Sequence, residues 1–239
     1  GKLKEISMLT NQQRRDRAKG IGGSDVGIIL GLSTFKTPYQ LYLEKIGKGP
    51  EDDKMSPAQE WGHRLEPIIR NKFADNNGVK IEAPKTDEIY SPPSEFVTYS
   101  LTTLVHPIVN FMRANLDGYI PEWKAVFEAK SSNAFMSSEW GEDGSDIIPM
   151  AYLVQVAHNC AVANASEGHL AVLIGGNDYR EFKYNRDNEL EQKLIKAESE
   201  FWSAVKAKPP PEPINQAYLL LLFPNPKPES TCIYDEKCG

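Results

Sequence analysis

Three charged residues in the segment LDGYIPEWKAVFEAK have the types and spacing of a metal-dependent hydrolytic site. If Ile120 and Ala125 are the last pair around a four-residue loop, Asp117 lies directly opposite Glu128 on a β-hairpin. Glu128 and Lys130 are two residues apart and therefore share a strand face. The predicted hairpin thus brings two carboxylates and an amine to one patch.

Two opposed carboxylates destabilise a sheet unless a positive charge compensates them. Lys130 can compensate alone, and the patch is then an ordinary surface ion cluster. A divalent cation is the other explanation, because Mg²⁺, with Mn²⁺ as a substitute, prefers oxygen ligands such as carboxylates, water and phosphate. A lysine beside such a metal can position or activate a water. The hairpin by itself leaves both explanations open.

A third acid, Glu66, lies on a helix that Ser56 and the following proline predict to begin at residue 57 and to run to about 76. Glu66 falls at the edge of the apolar stripe of this helix, so we expect it near the core boundary. An ion pair with Arg70 four residues later is its alternative role. His63 falls on the polar side and is predicted to be a surface residue. The predicted stripe consists of Trp61, Leu65, Ile68, Ile69 and Phe73.

The elements that must position these residues follow from caps, glycines and hydrophobic periodicity. Helices are predicted over about 10–19, 25–30, 37–46, 57–76, 149–163 and 188–207. Strands are predicted in KIEAP, EFVTYSLTTLV, FMRANLDGYI, KAVFEAK, GHLAVLIGG and REFKYN. This order predicts an α/β (α+β) fold with one central mixed β-sheet flanked by helices. We expect a single domain over 1–208 and a Pro-rich tail over 209–239 that is a docked strap or a subunit contact.

The composition of the chain argues against several classes of protein and of metal site. The chain has 239 residues, a net charge of −6 and three cysteines. A disulfide framework, a four-cysteine metal site and a surface coated in basic charge are therefore not expected. No apolar run approaches the roughly 20 residues of a membrane span, so no membrane association is expected. The N-terminus lacks the apolar core of a signal peptide, which favours the cytoplasm. Cys160 is predicted to be a packed core residue.

Four ordered segments resemble the YqaJ-type viral recombinases and lambda exonuclease, which are phage nucleases of the PD-(D/E)xK restriction-endonuclease-like superfamily. The segments are GIGGSDVGIILGLSTFKTPYQLYLEKIG, EWGHRLEP, LDGYI with AVFEAK, and AYLVQVAHNCAV, within about residues 14–175. The resemblance implies a restriction-endonuclease-like core and Mg²⁺-dependent 5′→3′ digestion of one strand of duplex DNA. Leu116 stands where the superfamily usually has proline, which supplies no ligand.

By the same resemblance, Asp117 and Glu128 are the metal-binding acids, and the backbone carbonyl of Ala129 is a further ligand. Lys130 matches the catalytic lysine of the superfamily. Glu66 matches the helix glutamate that completes the site, and the resemblance implies that it is a catalytic residue and a further metal ligand.

The resemblance also assigns roles to residues outside the hairpin. Gln155 matches the glutamine of the following helix, and Arg17 with Ser24 matches the pair that holds the terminal 5′-phosphate. Ser24 follows two glycines at a predicted helix start, where an anion is favoured, although it can equally be a plain N-cap. Gln155 shares a helix face with Tyr152 and Asn159, a polar strip whose alternative role is buried hydrogen bonding.

The sequence therefore predicts metal-assisted phosphodiester hydrolysis at DNA ends. Three alternatives stay open: an endonuclease or single-strand-specific nuclease on the same core, an inactive DNA-end-binding module, and a non-nuclease protein with a structural metal. The resemblance implies double-stranded DNA ends as substrate, a single-strand annealing protein as partner, and a homo-oligomer in the form of a ring trimer. It also implies a phage or prophage protein acting in the cytoplasm of a bacterial host.

Overall fold

The computed structural model describes residues 18–49, 56–82 and 103–207. The predicted helix over 10–19, the strand that includes residues 95–102, and the tail over 209–239 lie wholly or mostly outside these residues, as does the basic residue Arg17. The predicted division into a domain over 1–208 and a tail stays a prediction.

In the described ranges, three helices come first and four strands follow them; a 3₁₀ helix, a fourth helix, two strands and a fifth helix complete the order. The helices are α1 (Gly23–Ile29), α2 (Pro38–Lys45), α3 (Pro57–Asn77), α4 (Met150–Ala163) and α5 (Asn188–Ala207), with a short 3₁₀ helix at Ala134–Glu139. The strands are β1 (Leu104–Val105), β2 (Arg113–Ala114), β3 (Gly118–Ile120), β4 (Ala125–Ser132), β5 (Glu167–Ile174) and β6 (Asp178–Asn185).

The main sheet has the order β3–β4–β5–β6 and is mixed, as predicted. β4 and β5 are parallel and are joined through α4, whereas β3 and β6 run antiparallel to their neighbours at the two edges. A separate pair, β1 with β2, is antiparallel. The first three residues of β4 (AVF) and the second half of β5 (LAVLI) are continuous apolar runs, because helices cover both faces of the sheet there.

The predicted hairpin register is confirmed. Ile120 pairs with Ala125, and the pairing continues back to Gly118 opposite Phe127. Asp117 lies one residue before β3 begins. The stretch FMRANLDGYI, predicted as one strand, is divided into β2 and β3. The described part of KIEAP, residues 80–82, forms an isolated bridge between Glu82 and Tyr119.

The two faces of β4 pack against different helices. Phe127 lies in one hydrophobic cluster with Ile69 and Phe73 of α3, and its ring centroid is 5.0 Å from that of Phe73. Val126 lies in a second cluster with residues of α4, including Val156. Since side chains alternate along a strand, Glu128 and Lys130 point to the α4 face with Val126.

Helix boundaries follow local capping chemistry. Thr37 and Ser56 each accept a hydrogen bond from the backbone N–H three residues later, as predicted for capping boxes. Helix α3 ends before Gly78, which adopts the left-handed conformation with φ 62°.

The predicted start of α1 was wrong by two residues. Gly22, not Ser24, is the N-cap, and its backbone N–H donates to Asp25 Oδ2 at 2.9 Å. Asp25 can do this because it is the third residue of the helix, from which a carboxylate reaches back to the cap. Ser24 is consequently the second helical residue, and it is exposed.

The predicted apolar stripe of α3 is only partly buried. Ile69 and Phe73 are 2% and 1% exposed, but Trp61 and Ile68 are 61% and 60% exposed. Near its amino end, α3 runs beside the last residues of β4, where a Cβ on Gly62 would lie 3.7 Å from Ser131 Oγ. This end of β4 is polar, so it offers no apolar surface that would bury the Trp61 side chain.

The prediction for Cys160 is confirmed. Cys160 is a buried free thiol, and burial raises its pKa to about 12, so it behaves as a packed core residue. None of the helices in the described ranges is both long and apolar enough to span a membrane.

Candidate active site

Glu128 is the centre of the candidate site. It is 2% exposed, and three side chains donate to its carboxylate. Lys130 Nζ and Gln155 Nε2 contact Oε1 at 2.6 Å and 2.5 Å, and Asn159 Nδ2 contacts Oε2 at 3.1 Å. The predicted grouping of Glu128, Lys130 and Gln155 is therefore present, with Asn159 in addition.

Asp117 connects the hairpin to the helix that carries Glu66. Its Oδ2 accepts a hydrogen bond from the backbone N–H of Ala129 at 2.9 Å. Its carbonyl oxygen accepts from Arg70 Nη1 at 3.0 Å. These two bonds fix the orientation of Asp117 although it precedes the strand. The role predicted for the Ala129 carbonyl as a metal ligand stays a prediction.

Glu66 lies at the core boundary, as its position on the helix predicts. Its side chain is 25% exposed and contacts Arg70 Nη1 at 3.3 Å. Burial and the Asp117 carboxylate raise the pKa of Glu66 to about 7, although Arg70 and Lys130 act in the opposite direction. His63 is a surface residue, as predicted, and its Nδ1 is 4.0 Å from Glu66.

The carboxylates of Asp117, Glu128 and Glu66 repel one another, and burial leaves Glu128 and Glu66 poorly solvated. Burial and the neighbouring Asp117 carboxylate raise the pKa of Glu128 to about 8, against the opposing effect of Lys130. For Lys130, burial by itself would lower the pKa, but Glu128 and Asp117 outweigh it and the pKa is raised. Lys130 and Arg70 supply two positive charges against three acids, so the site still favours an additional positive charge.

The donor set fits a divalent cation held by two carboxylates. Asp117 and Glu128 supply hard oxygen ligands from the two arms of the hairpin, and Mg²⁺ commonly takes one or two carboxylates together with water and phosphate oxygens. Within residues 18–49, 56–82 and 103–207, no group of three acidic, histidine or cysteine side chains is arranged to hold a metal ion. The metal-binding roles predicted for Asp117, Glu128 and Glu66 stay predictions.

The start of α1 lies against the same face of α4. A Cβ added to Gly23 would lie 2.5 Å from Asn159 Oδ1 and 3.2 Å from Gln155 Cγ, so the backbones approach closely there. The exposed residue Ser24 follows directly. Ser24 is thus near the residues that hold Glu128, whereas Arg17, its predicted partner, lies outside the described residues.

Sequence reasoning missed the roles of three residues. Arg70 joins Glu66 to the backbone of Asp117, and only its spacing from Glu66 was noticed. Asn159 was recognised as part of a polar strip. The position of this strip on an otherwise apolar helix was the signal that a carboxylate faces it. Tyr152, on the same strip, lies under Lys130, with the ammonium nitrogen 5.2 Å from the ring centroid.

Comparisons with known proteins agree with the fold. A structure of the alkaline exonuclease LHK-Exo from Laribacter hongkongensis superposes with a TM-score of 0.62 and 15% identity, over 83% of this chain and 94% of that one. The structure of LHK-Exo in complex with dAMP gives a TM-score of 0.61 and 16% identity over the same shares. These similarities confirm the predicted mixed α/β architecture.

The amino-acid sequence itself identifies the family. The protein YqaJ of Bacillus subtilis (strain 168), described as uncharacterized, is 37% identical over 202 residues. The match includes 84% of this chain but 57% of YqaJ, so the chain spans little more than half of that relative. The model of the YqaJ-like viral recombinase domain matches residues 14–166. As the resemblance predicted, this chain belongs to the YqaJ-like viral recombinase domain family.

Proposed function

We propose that this protein is a metal-dependent deoxyribonuclease, a 5′→3′ exonuclease that degrades one strand of linear double-stranded DNA for recombination. The observation that carries the proposal is the buried Glu128 carboxylate with Lys130 and Gln155 on one oxygen, beside Asp117 across the hairpin. Family membership supports it, as does the fold shared with a protein described as an alkaline exonuclease.

The protein groups divide the work of phosphodiester hydrolysis between them. A Mg²⁺ ion held by Asp117 and Glu128 would supply Lewis-acid chemistry, which makes a water more acidic and offsets negative charge on the phosphate. Lys130 orients the attacking water through its ammonium group, which Glu128 and Asp117 keep protonated by raising its pKa. Gln155 keeps the Glu128 carboxylate in one orientation, so that little reorganisation is needed when charge develops. Glu66 acts through Asp117, to which Arg70 connects it.

A preference for DNA ends is assigned to Arg17 and Ser24. The guanidinium group of Arg17 offers two parallel hydrogen bonds to a terminal 5′-phosphate, and the Ser24 hydroxyl offers another. The close approach of Gly23 to Asn159 supports this assignment, because it keeps Ser24 near the residues around Glu128.

The remaining parts of the proposal rest on the family resemblance. They are a single-strand annealing protein as partner, assembly into a ring trimer around DNA, and action in the cytoplasm of a bacterial host. Mg²⁺ is the proposed metal, with Mn²⁺ as a substitute.

Nucleotide release from linear duplex DNA tests the proposal. The DNA carries either 5′-phosphate or 5′-hydroxyl ends, and the reactions contain Mg²⁺ or EDTA. We expect release to require Mg²⁺ and to be faster from 5′-phosphate ends. We expect it to fall at least about a hundredfold in Lys130→Ala, because removing a pre-placed hydrogen-bond donor from a reacting centre costs about that much. Lys193→Ala is the matched control, since Lys193 pairs with Glu189 one turn earlier on its own helix.

Each other outcome identifies a different alternative. Mg²⁺-dependent cutting of closed circular DNA with no end preference would retain the metal site but contradict the phosphate-binding roles of Arg17 and Ser24. Binding of DNA ends without any release would indicate the inactive binding module. Equal release by Lys130→Ala and the wild-type protein would contradict the proposed chemistry.

A further inference from the structure

The ammonium group of Lys130 has a second neighbour besides Glu128. Its Nζ lies 5.2 Å from the centroid of the Tyr152 ring, over the ring face. A cation within about 6 Å of a ring centroid is attracted by the negative face of the aromatic system. The Lys130 side chain is 19% exposed, so this attraction is only partly screened by water. Carboxylate and ring together restrict a side chain that is otherwise flexible.

The Tyr152 ring is itself held firmly. It stacks on Trp140 with a centroid distance of 5.2 Å and an interplanar angle of 19°. Trp140 packs in turn on Phe182 at 5.5 Å, and both of these residues are buried. The three rings form a column from the core of the sheet to the ammonium group of Lys130.

Arg180 fixes the base of this column. Its Nη1 donates to the carbonyl oxygens of Trp140 at 3.2 Å and Gly141 at 2.9 Å, and its Nη2 donates to Ser137 Oγ at 2.9 Å. The segment that carries Trp140 is therefore attached to strand β6. Such attachment lets the ring column act as a rigid support.

Tyr152 also belongs to the same helical face as the residues that hold Glu128. It precedes Gln155 by three residues and Asn159 by seven, which are neighbouring positions on one face of α4. One helix face thus contacts both members of the Glu128–Lys130 pair.

We propose that Tyr152 is a positioning residue for Lys130, which it holds by its aromatic face. The inference rests on the nuclease function proposed above and adds a residue to its machinery. The aromatic face of Tyr152 holds Lys130, and the phenolic hydroxyl group is not required for this role. A ring that only fills space would instead leave the reaction rate unaffected by the electronic character of the ring.

Three replacements at position 152 separate these roles. Tyr152→Phe keeps the ring face and should retain kcat within about threefold. Tyr152→Leu removes the face and should lower kcat about tenfold with an unchanged KM for DNA ends, in keeping with the strength of such contacts. A ring-trifluorinated phenylalanine keeps the shape but weakens the negative face, and it should lower kcat relative to Tyr152→Phe.

The controls separate positioning from folding. Tyr184→Leu removes another buried tyrosine, on β6, and should lower the thermal midpoint without changing kcat per folded molecule. The fluorinated variant keeps the test decisive if Tyr152→Leu does not fold.

The outcomes also separate this inference from the proposed function. An active wild-type enzyme whose fluorinated variant has the kcat of Tyr152→Phe would overturn the role of Tyr152 alone. A loss that appears in KM instead of kcat would overturn it too. A wild-type protein that releases no nucleotide with Mg²⁺ would overturn the proposed function and this inference together.

Discussion

At the scale of single residues, the Glu128 carboxylate is the most constrained group of the site. It is almost fully buried, yet three donors surround it and a second carboxylate is close enough to raise its pKa. An acid in this environment keeps its proton to higher pH than usual. Since metal binding requires the ionised form, protons and metal compete for Glu128.

This competition predicts a pH dependence of activity. The pKa values of about 8 for Glu128 and about 7 for Glu66 lie above their ordinary values, so both acids lose their protons only as the pH rises through this range. At limiting Mg²⁺, the rate of nucleotide release should therefore increase from about pH 6 to about pH 9. Saturating Mg²⁺ should move the rise to lower pH. A rate that falls over this range would contradict the metal-binding role of Glu128.

The sequence reveals most of this constellation because its members differ in type from their surroundings. Asp117, Glu128 and Lys130 are charged residues in an otherwise strand-forming stretch, and the hairpin register follows from the loop length. The contact of Arg70 with the Asp117 carbonyl was not predictable, because it joins residues 47 positions apart through a backbone atom. The contact of Tyr152 with Lys130 likewise needs the packing of α4 on β4.

At the scale of elements, the site depends on how closely α1 approaches α4. Gly23 allows this approach because it has no side chain, whereas Gly27, one turn later, faces Ala151 with more room. The two glycines therefore provide a matched pair on one helix.

Gly23→Ala should destabilise the protein by about 1–3 kcal/mol, because its Cβ would lie 2.5 Å from Asn159 Oδ1 and force the helices apart. It should also slow nucleotide release, since Asn159 and Gln155 would move relative to Glu128. Gly27→Ala should be neutral or stabilising by up to about 1 kcal/mol, because its Cβ would make a 3.4 Å contact and alanine favours helices. Urea unfolding and the release assay measure both variants, and equal effects would contradict a tight contact at Gly23.

Element boundaries were predictable where caps are local, as at Thr37, Ser56 and Gly78. The extent to which each helix face is buried was not predictable. Helical periodicity placed Trp61 on the same stripe as Phe73, but a stripe is buried only where a neighbouring element offers an apolar surface. Beside Ser131 the sheet offers none, and the sequence of α3 does not contain that information.

At the scale of the whole molecule, a buried ion pair joins α4 to α5. His158 Nδ1 lies 2.9 Å from Glu198 Oε1, and His158 Nε2 lies 2.8 Å from the carbonyl oxygen of Arg113 on β2. Both ring nitrogens face acceptors, so the doubly protonated ring satisfies both contacts. Burial alone would lower the pKa of His158, but the Glu198 carboxylate and the Arg113 carbonyl outweigh it and the pKa is raised.

Glu198→Gln should cost about 3–5 kcal/mol of unfolding free energy, because it leaves a buried histidine without its counter-ion. A histidine with a raised folded pKa stabilises fully below its unfolded value of about 6.5 and loses this contribution as the pH rises through the folded pKa. The difference between wild type and variant should thus be largest below about pH 6.5 and shrink as the pH rises further. Glu200→Gln, an exposed position on the same helix, should have little effect. Chemical unfolding across this pH range is the measurement, and a pH-independent difference would contradict a charged His158.

The covering of β4 on both faces has a consequence for folding fidelity. Ile69 and Phe73 lie on one side, and Gln155 and Asn159 lie on the other. A one-residue slip of β4 would turn Glu128 towards the apolar side, where an unpaired carboxylate is strongly disfavoured. The residues of the candidate site therefore disfavour misaligned strand pairings while the sheet assembles. The packing that completes the core around β4 therefore also brings the residues of the candidate active site together.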